Sequence, residues 1–225
     1  MNERVLAWDG CKNVRDLGGL GTFDGRTTRW GEIVRSDTPA RLTDEGWSAL
    51  YAYGIRTIIT LRTLGITEDE LDFTPRYPDL ATVQVEIEDI TDTEFVKKWV
   101  DTNFWGTPLY YRDALERWPK RHAAVVSAIA QARPGGVLFH CIRGYDRTGI
   151  ISLLLLALGG VTPEEIAADY ELSRDPFRDE LLAREHSSAL EAIRGTLDGF
   201  DIESYLGTGG ASQEDIAAVR KRLLG

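Results

Sequence analysis

The feature that constrains the fold most is a pair of apolar runs joined by a short loop. Val137–His140 predicts a buried strand, and Ile150–Leu158 predicts a buried helix because this run is too short to span a bilayer. A loop that leads from a strand into a helix presents consecutive backbone N–H groups to one point, and the helix dipole adds positive potential there. The sequence therefore predicts an anion-binding loop between these two elements.

The other elements alternate between strand and helix. Ile55–Leu61 is a second apolar run typical of a buried strand. Val83, Val85 and Ile87 alternate with polar residues and predict a strand with one wetter face. This alternation predicts an α/β sandwich with a central, mainly parallel sheet flanked by helices. Helix starts with capping patterns are expected at Thr43, Thr162 and Ser212.

Composition limits the classes of protein to which the chain can belong. Its 225 residues, 43% of them hydrophobic, are enough for one sizeable core, so we expect a single domain over residues 1–225. With a net charge of −10, no basic cluster and no apolar start of signal-peptide length, we expect neither nucleic-acid binding nor stable membrane insertion. Two cysteines, Cys11 and Cys141, cannot form a disulfide framework. We expect a reducing, cytoplasmic location, with leaderless export left open.

The loop carries the residue types that phosphoryl transfer needs. Cys141 lies at the strand end under the anion cradle, whose field favours the nucleophilic thiolate. Arg147 can bind two phosphoryl oxygens bidentately, and Thr148 can donate its hydroxyl to the departing sulfur. Gly144 allows a tight turn without a side chain in the cradle. The loop residues expected to bind phosphate are Ile142, Arg143, Gly144 and Tyr145.

This pattern predicts a cysteine-dependent phosphatase that works through a cysteinyl-phosphate intermediate. Its substrate would be a phosphorylated protein or a small phosphate ester, and its product inorganic phosphate. The mechanism needs no cofactor and no metal, and the sequence shows no metal-site spacing. The alternative is that Cys141 is a small buried residue and Arg147 a surface charge, but the Cys-x5-Arg-Thr spacing in a strand-to-helix loop disfavours it.

The loop from His140 to Gly149 resembles the His-Cys-x5-Arg-Ser/Thr motif of the cysteine-based protein tyrosine phosphatase superfamily. More narrowly, the chain resembles the atypical bacterial tyrosine phosphatases, whose loop reads His-Cys-x-x-Gly-Lys-Asp-Arg-Thr-Gly. The resemblance implies the sandwich fold of these phosphatases and hydrolysis of phosphotyrosine, with phosphoserine and phosphothreonine as further substrates to test. The flanking blocks that match are Asn13–Gly19, Ile33–Asp37, Gly54–Thr57, and Asp169-Tyr170 with Ser173.

One departure from the family pattern bears on the substrate. Tyr145 stands where members usually have Lys, a residue associated with activity toward phosphoinositides, so the resemblance implies weak inositide hydrolysis. Myotubularin lipid phosphatases also carry an aromatic residue before Asp-Arg-Thr, so an inositide or small-molecule phosphatase stays an alternative, with Arg143 supplying the cation. A phosphate-binding pseudophosphatase is disfavoured by the intact Cys141, Arg147 and Thr148. A rhodanese-like sulfurtransferase is disfavoured because its loop lacks the Asp-Arg-Thr-Gly continuation.

The leaving oxygen needs a proton donor. The chain has no Trp-Pro-Asp loop of the kind that supplies it in conventional tyrosine phosphatases, since Lys120 follows Trp118-Pro119. The family resemblance implies Asp146, inside the loop, as in myotubularins. The alternative role for Asp146 is to favour the helix dipole and cap the first turn. Upstream candidates for the acid are Asp89, Asp92, Asp101 and Asp113.

Residues outside the loop are expected to support it. Asn13, Arg15 and Asp16 form a polar cluster that braces the site, with direct contact to the substrate as the alternative. His140 is expected to be structural and hydrogen-bonded beside the loop. Relatives commonly read Asp-Leu-Arg where this chain reads Thr60-Leu61-Arg62, so whatever that aspartate contributes is missing here.

Residues 91–118 are rich in aromatic side chains. One interpretation is a pair of amphipathic helices whose aromatics fill the core, and a compatible one is a helical lid that walls the substrate pocket. His122 and His186 are expected at the surface. Cys11 is expected to be a bystander, unless it lies close enough to Cys141 to form a disulfide under oxidation.

Overall fold

The computed structural model describes residues 4–173 and 175–225. In these residues a five-stranded sheet has the order β1-β2-β5-β3-β4. Only β1 runs antiparallel to its neighbour, and the other pairs are parallel, which confirms the predicted mainly parallel sheet. The strands are β1 (Arg15–Asp16), β2 (Ile33–Ser36), β3 (Ile55–Leu64), β4 (Ala81–Asp89) and β5 (Gly136–His140).

Helices connect and flank these strands. The hydroxyls of Thr43, Thr162 and Ser212 accept hydrogen bonds from backbone N–H groups three residues later, so the three predicted helix starts are confirmed. The helices are α1 (Asp44–Ala52), α2 (Thr93–Phe95), α3 (Tyr111–Arg117), α4 (Pro119–Ala130), α5 (Asp146–Leu158), α6 (Pro163–Glu171), α7 (Pro176–Arg184), α8 (Ala189–Leu197), α9 (Ile202–Thr208) and α10 (Gln213–Leu224).

The core lies on both faces of the sheet because successive residues of β3 and β5 point to opposite sides. Ile59 and Phe139 face a large cluster that contains the apolar length of α5. Ile58 and Leu138 face a smaller cluster beneath α1. Helix α5 is therefore surrounded by protein, as its apolar run predicts, and its first turn is fixed at the carboxyl end of the central strand β5.

The aromatic segment 91–118 is less regular than a pair of amphipathic helices. Helix α2 is short and continues as a π-helical turn over Val96–Val100, and only α3 is a regular helix within this segment. Phe95, Tyr110 and Tyr111 are fully buried, so much of the aromatic content fills the core. No helix in the described part of the chain is long and apolar enough to cross a membrane.

Candidate active site

The loop between β5 and α5 begins at Cys141, which lines a cavity of about 260 Å³. The thiol-bearing residue is only 3% exposed. Gly144 adopts a φ of +71°, and a Cβ there would lie 2.6 Å from the Ser36 carbonyl oxygen, so the turn requires glycine. The side chains around the cavity include Glu68, Glu88, Trp105, Arg143, Asp146 and Arg147.

A buried polar network holds this loop from below. The Asn13 side-chain amide donates to the carbonyl oxygens of Arg143 and Gly144, both at 3.0 Å. Arg35 donates to the Gly144 carbonyl oxygen at 2.7 Å and to the Asp169 carboxylate, also at 2.7 Å. These bonds fix the curvature of the loop because they tie its own carbonyl groups to the sheet and to α6.

Asp169 is the shared anion of this network. Its carboxylate binds Arg15 at 2.9 Å and also pairs with Arg35 and Arg4. Burial alone would raise the pKa of Asp169, but the three guanidinium groups outweigh it and hold the pKa well below its usual range. The network thus places Asn13 and Arg15 beneath the loop, where they brace it.

The other two residues expected to support the site differ in position. Asp16 accepts hydrogen bonds from the backbone N–H groups of Gly18 and Gly31 and from the Tyr53 hydroxyl, so it braces the turn between β1 and β2 rather than the loop. His140 bonds the Thr60 hydroxyl at 2.9 Å and the Cys141 carbonyl oxygen at 3.3 Å. Burial lowers the pKa of His140 to about 3, so the imidazole is neutral and has the geometry of a structural residue.

Arg147 is held from one side by a carboxylate that has no counterpart in the sequence motif. Its two terminal nitrogens lie 3.0 and 2.7 Å from the two carboxylate oxygens of Glu68, and one of them also donates to the Leu61 carbonyl oxygen at 2.9 Å. The hydrogen bond to Oε2 and the ionic contact to Oε1 together restrict the orientation of the guanidinium group. Glu88 lies 4.0 Å from Nε of Arg147 on another side.

Asp146 begins α5 and faces the cavity. Its partly buried carboxylate pairs with the buried Arg178 of α7, and Arg143 lies 3.9 Å away. Burial raises the pKa of Asp146, while Arg178 and Arg143 oppose the rise. A carboxyl with a raised pKa in the same cavity as Cys141 suits a proton donor, but this one also serves as an anchor for α7.

Tyr145 lies between two cations where the family usually has Lys. The Arg178 guanidinium stacks 4.1 Å from the centre of the Tyr145 ring, and Arg143 lies 5.5 Å from it. Arg143 is exposed and reaches toward Asp175 at 3.8 Å. Positive charge therefore remains next to the loop although the family lysine is missing.

The Thr148 hydroxyl makes no hydrogen bond to the described part of the chain and is buried. Its donation to the Cys141 sulfur is therefore absent from this structure and stays a prediction for the reaction. Tyr111 donates its hydroxyl to the Asp146 carbonyl oxygen at 3.2 Å and passes close to Gly149, where a Cβ would lie 2.1 Å from that hydroxyl. Glycine in the first turn of α5 thus makes room for an aromatic residue of the 91–118 segment.

The upstream aspartates lie outside the cavity lining as the structure describes it. Asp89 and Asp92 pair with Arg121 and Arg117, and Asp113 pairs with Arg117. The fourth, Asp101, is exposed. Trp105 of the same segment does line the cavity, so this segment contributes a wall, and its movement as a lid stays a prediction.

Two other expectations have different outcomes. His186 is exposed as predicted, but the prediction for His122 was wrong: it is fully buried in α4 and bonds the Tyr205 hydroxyl of α9 at 2.9 Å. An isolated histidine in a helix gives no sign in the sequence of a partner 83 residues away. Cys11 is half-buried, donates to the Thr38 carbonyl oxygen, and is a free thiol like Cys141.

Three residues of the site were not foreseen from the sequence. Glu68 and Arg178 lie in segments without a recognisable motif, and only the fold brings them to Arg147 and Asp146. Glu88 offered a signal, because it follows the alternating pattern of β4 at the carboxyl end of a parallel strand. That end of the sheet is where α/β folds place their ligands.

Comparisons with known proteins agree with this geometry. A family model described as the tyrosine phosphatase family matches residues 6–225. A candidate tyrosine-protein phosphatase of Cupriavidus necator is 31% identical over 168 residues, covering 73% of this chain and 61% of that protein. A tyrosine-protein phosphatase of Nostoc commune is 28% identical, covering 85% of this chain and 74% of its own length. The triple specificity protein phosphatase PtpB of Mycobacterium tuberculosis is 29% identical, covering 74% and 68%.

The chain spans about three fifths of the length of the Cupriavidus necator relative. Among solved structures, the Siw14 catalytic core aligns with 91% of this chain and 92% of its own at 17% identity and a TM-score of 0.49. The family match itself runs through the loop, the bracing network and the C-terminal helices. The chain belongs to the tyrosine phosphatase family, whose members are hydrolases.

Proposed function

We propose that the protein hydrolyses phosphotyrosine through a covalent phosphate on Cys141. The observation that carries this proposal is that Cys141 and Arg147 line the same cavity and that the loop which begins at Cys141 leads into the N-terminus of α5. A nucleophile, a bidentate cation and converging backbone N–H groups are the parts that phosphoryl transfer needs.

In the first step the Cys141 thiolate attacks phosphorus and forms the S–P bond. The bond between phosphorus and the tyrosine oxygen breaks, and its electron pair leaves with that oxygen, which takes a proton from Asp146. Loop N–H groups and Arg147 neutralise the charge on the three equatorial oxygens. Glu68 keeps the guanidinium plane fixed during this transfer.

In the second step a water molecule attacks the cysteinyl phosphate. Asp146, now a carboxylate, accepts the proton of the water, the S–P bond breaks, and the electron pair returns to sulfur. Thr148, whose buried hydroxyl has no partner in the described structure, donates to the departing thiolate. The products are tyrosine and inorganic phosphate, and the free Cys141 thiol fits a reducing, cytoplasmic setting.

A broader substrate range is the second candidate function. Arg143 is exposed at the rim of the cavity and can meet a second phosphate group or an acidic peptide residue. The name of the Mycobacterium tuberculosis relative describes that protein as having triple specificity. We propose that this chain also hydrolyses phosphoserine and phosphothreonine, more slowly than phosphotyrosine. Inositides are the alternative class of substrate.

The proposal is tested by Cys141→Ser, with Cys11→Ser as the matched control. We expect Cys141→Ser to abolish turnover while binding of inorganic phosphate survives, because the cradle is largely backbone, and Cys11→Ser to keep full kcat. Mass spectrometry after rapid acid quenching should place the phosphate on Cys141 of the wild-type protein. Turnover that survives in Cys141→Ser would contradict the covalent mechanism, and a kcat/KM panel of phosphopeptides, inositides and sugar phosphates ranks the substrates.

A further inference from the structure

Glu88 is a buried acid that the reaction above does not use. It lies at the carboxyl end of β4, is fully buried, and lines the same cavity as Cys141 and Arg147. A buried carboxyl group is costly unless it is paired, hydrogen-bonded or protonated. Whether Glu88 is ionised or protonated therefore decides whether an entering phosphoryl group meets a negative charge or a hydrogen-bond donor.

The two oxygens of Glu88 have different surroundings. Tyr110 donates its hydroxyl to Oε1 at 2.6 Å, which occupies that oxygen as an acceptor. Oε2 accepts a longer hydrogen bond from the Thr63 hydroxyl, at 3.4 Å, and lies 4.0 Å from Nε of Arg147, so it is the less tightly bonded oxygen and the one on the side of the phosphate site. A proton on this carboxyl group is accordingly placed on Oε2.

The charges around Glu88 favour the neutral acid. Arg147 is the cation nearest to it, and Glu68 already pairs with that guanidinium through both carboxylate oxygens. Asp146, across the cavity, adds a further negative potential. Burial raises the pKa of Glu88, and Arg147 with the Tyr110 hydroxyl only partly opposes this rise.

An ionised Glu88 would also oppose catalysis. The cavity must hold a phosphoryl dianion next to a cysteine thiolate, while the charge of Arg147 is shared with Glu68. A second carboxylate about 4 Å from the same guanidinium would repel the dianion at short range, where screening by salt is weak. A neutral acid at this position instead offers an O–H donor.

We propose that Glu88 is a phosphoryl-binding residue that acts as the carboxylic acid, donating its Oε2–H to a phosphoryl oxygen beside Nε of Arg147. The proposal rests on the proposed function of the cavity, but it is tested by binding rather than turnover. Affinity for a dianion is then greatest at low pH and falls as the pH rises through the titration of Glu88. The groups that face it and set this titration are Arg147, Tyr110, Thr63, Trp105 and Asp146.

The experiment uses sulfate, a tetrahedral dianion that has no titration of its own near neutral pH. Calorimetry measures its Kd for Cys141→Ser protein, which has no thiol in the cavity, from about pH 5.5 to about pH 8. We expect the Kd to rise at least about tenfold across this range, and to change less than about twofold when Glu88→Gln is added, because glutamine keeps an N–H donor. Asp89→Asn is the matched control, since Asp89 bonds Thr91 and Arg121 outside the cavity.

A second measurement does not depend on the folding of the Glu88→Gln variant. Sulfate binding to Cys141→Ser protein is repeated at about pH 8 in buffers of different ionisation enthalpy, which gives the protons taken up on binding. We expect uptake that approaches one proton, and the same uptake when Asp89→Asn or Asp146→Asn is added, because Asp146 is the other acid of this cavity whose pKa is raised by burial. No uptake, or a pH dependence of Kd that Glu88→Gln leaves unchanged, would overturn the proposal. If sulfate binding shows the expected pH dependence and proton uptake but the wild-type protein has no phosphatase activity, the proposed function alone is refuted.

Discussion

Replacement of Asp169 by Asn tests whether the buried network beneath the loop holds the protein together. Asp169 is 1% exposed and pairs with Arg15 and Arg35, which are also buried. Asn keeps the size of the side chain but removes the charge, so two buried guanidinium groups lose their shared anion. Breaking a buried ion pair by removing one partner costs about 3–5 kcal/mol. For a chain of this size that loss lowers the Tm by roughly 10 °C.

Urea unfolding and thermal scans at pH 7 measure the free-energy difference, with Asp24→Asn in the exposed Asp24–Arg26 pair as the control. The pKa of Asp169 lies below its unfolded value, so the stability it contributes is present above the unfolded pKa and is lost as the pH falls through the folded one. The difference in the free energy of unfolding between wild type and Asp169→Asn should thus stay constant above about pH 5 and become smaller below about pH 4. A gap below about 1 kcal/mol at pH 7 would refute the reasoning, since it would show that the arginines are solvated without Asp169.

Two further predictions concern the loop itself. Asp146→Asn should flatten the alkaline limb of kcat/KM and slow alkyl phosphates at least about a hundredfold, but slow p-nitrophenyl phosphate far less, because its leaving group scarcely needs a proton. Equal slowing of both substrates with an unchanged pH profile would show that Asp146 only anchors Arg178. Tyr145→Lys should raise inositide hydrolysis relative to phosphotyrosine hydrolysis by adding a cation next to Arg143 and Arg178. Comparable wild-type rates on both substrates would contradict the assumption that inositides are poor substrates.

The sequence was sufficient for features that depend on neighbours along the chain. The buried strand β5, the loop and the apolar helix α5 follow from hydrophobic runs and glycine placement. The capping residues Thr43, Thr162 and Ser212 act on N–H groups three positions away, which is why they could be identified directly.

Features that depend on contacts across the fold could not be derived in this way. Glu68 reaches Arg147 from 79 residues away, and Arg178 reaches Asp146 from 32 residues away. No local periodicity records such pairs, and a glutamate in a loop is ordinarily a surface residue. The short strand β2 shows the same limit. Two of its four buried residues, Arg35 and Ser36, are polar, so the sequence does not predict a buried strand inside the sheet.

The charge arrangement bears on the proposed binding of a phosphate ester by a chain with a net charge of −10. Arg147 is paired with Glu68, and Arg178 next to the loop is paired with Asp146, so much of the positive charge near the cavity is offset by carboxylates, while Arg143 at the rim stays exposed. At physiological salt the overall negative field fades within about 8 Å, so attraction comes at short range from Arg143 and Arg147 and from backbone dipoles at contact distance. The dipoles are those of the N–H groups in the loop and in the first turn of α5. Asn13 and Arg35 bind a carbonyl group of the loop and so fix the orientation of the peptide units that carry these N–H groups. Stability of the Asp169 network and affinity for phosphate are therefore two consequences of the same bonds.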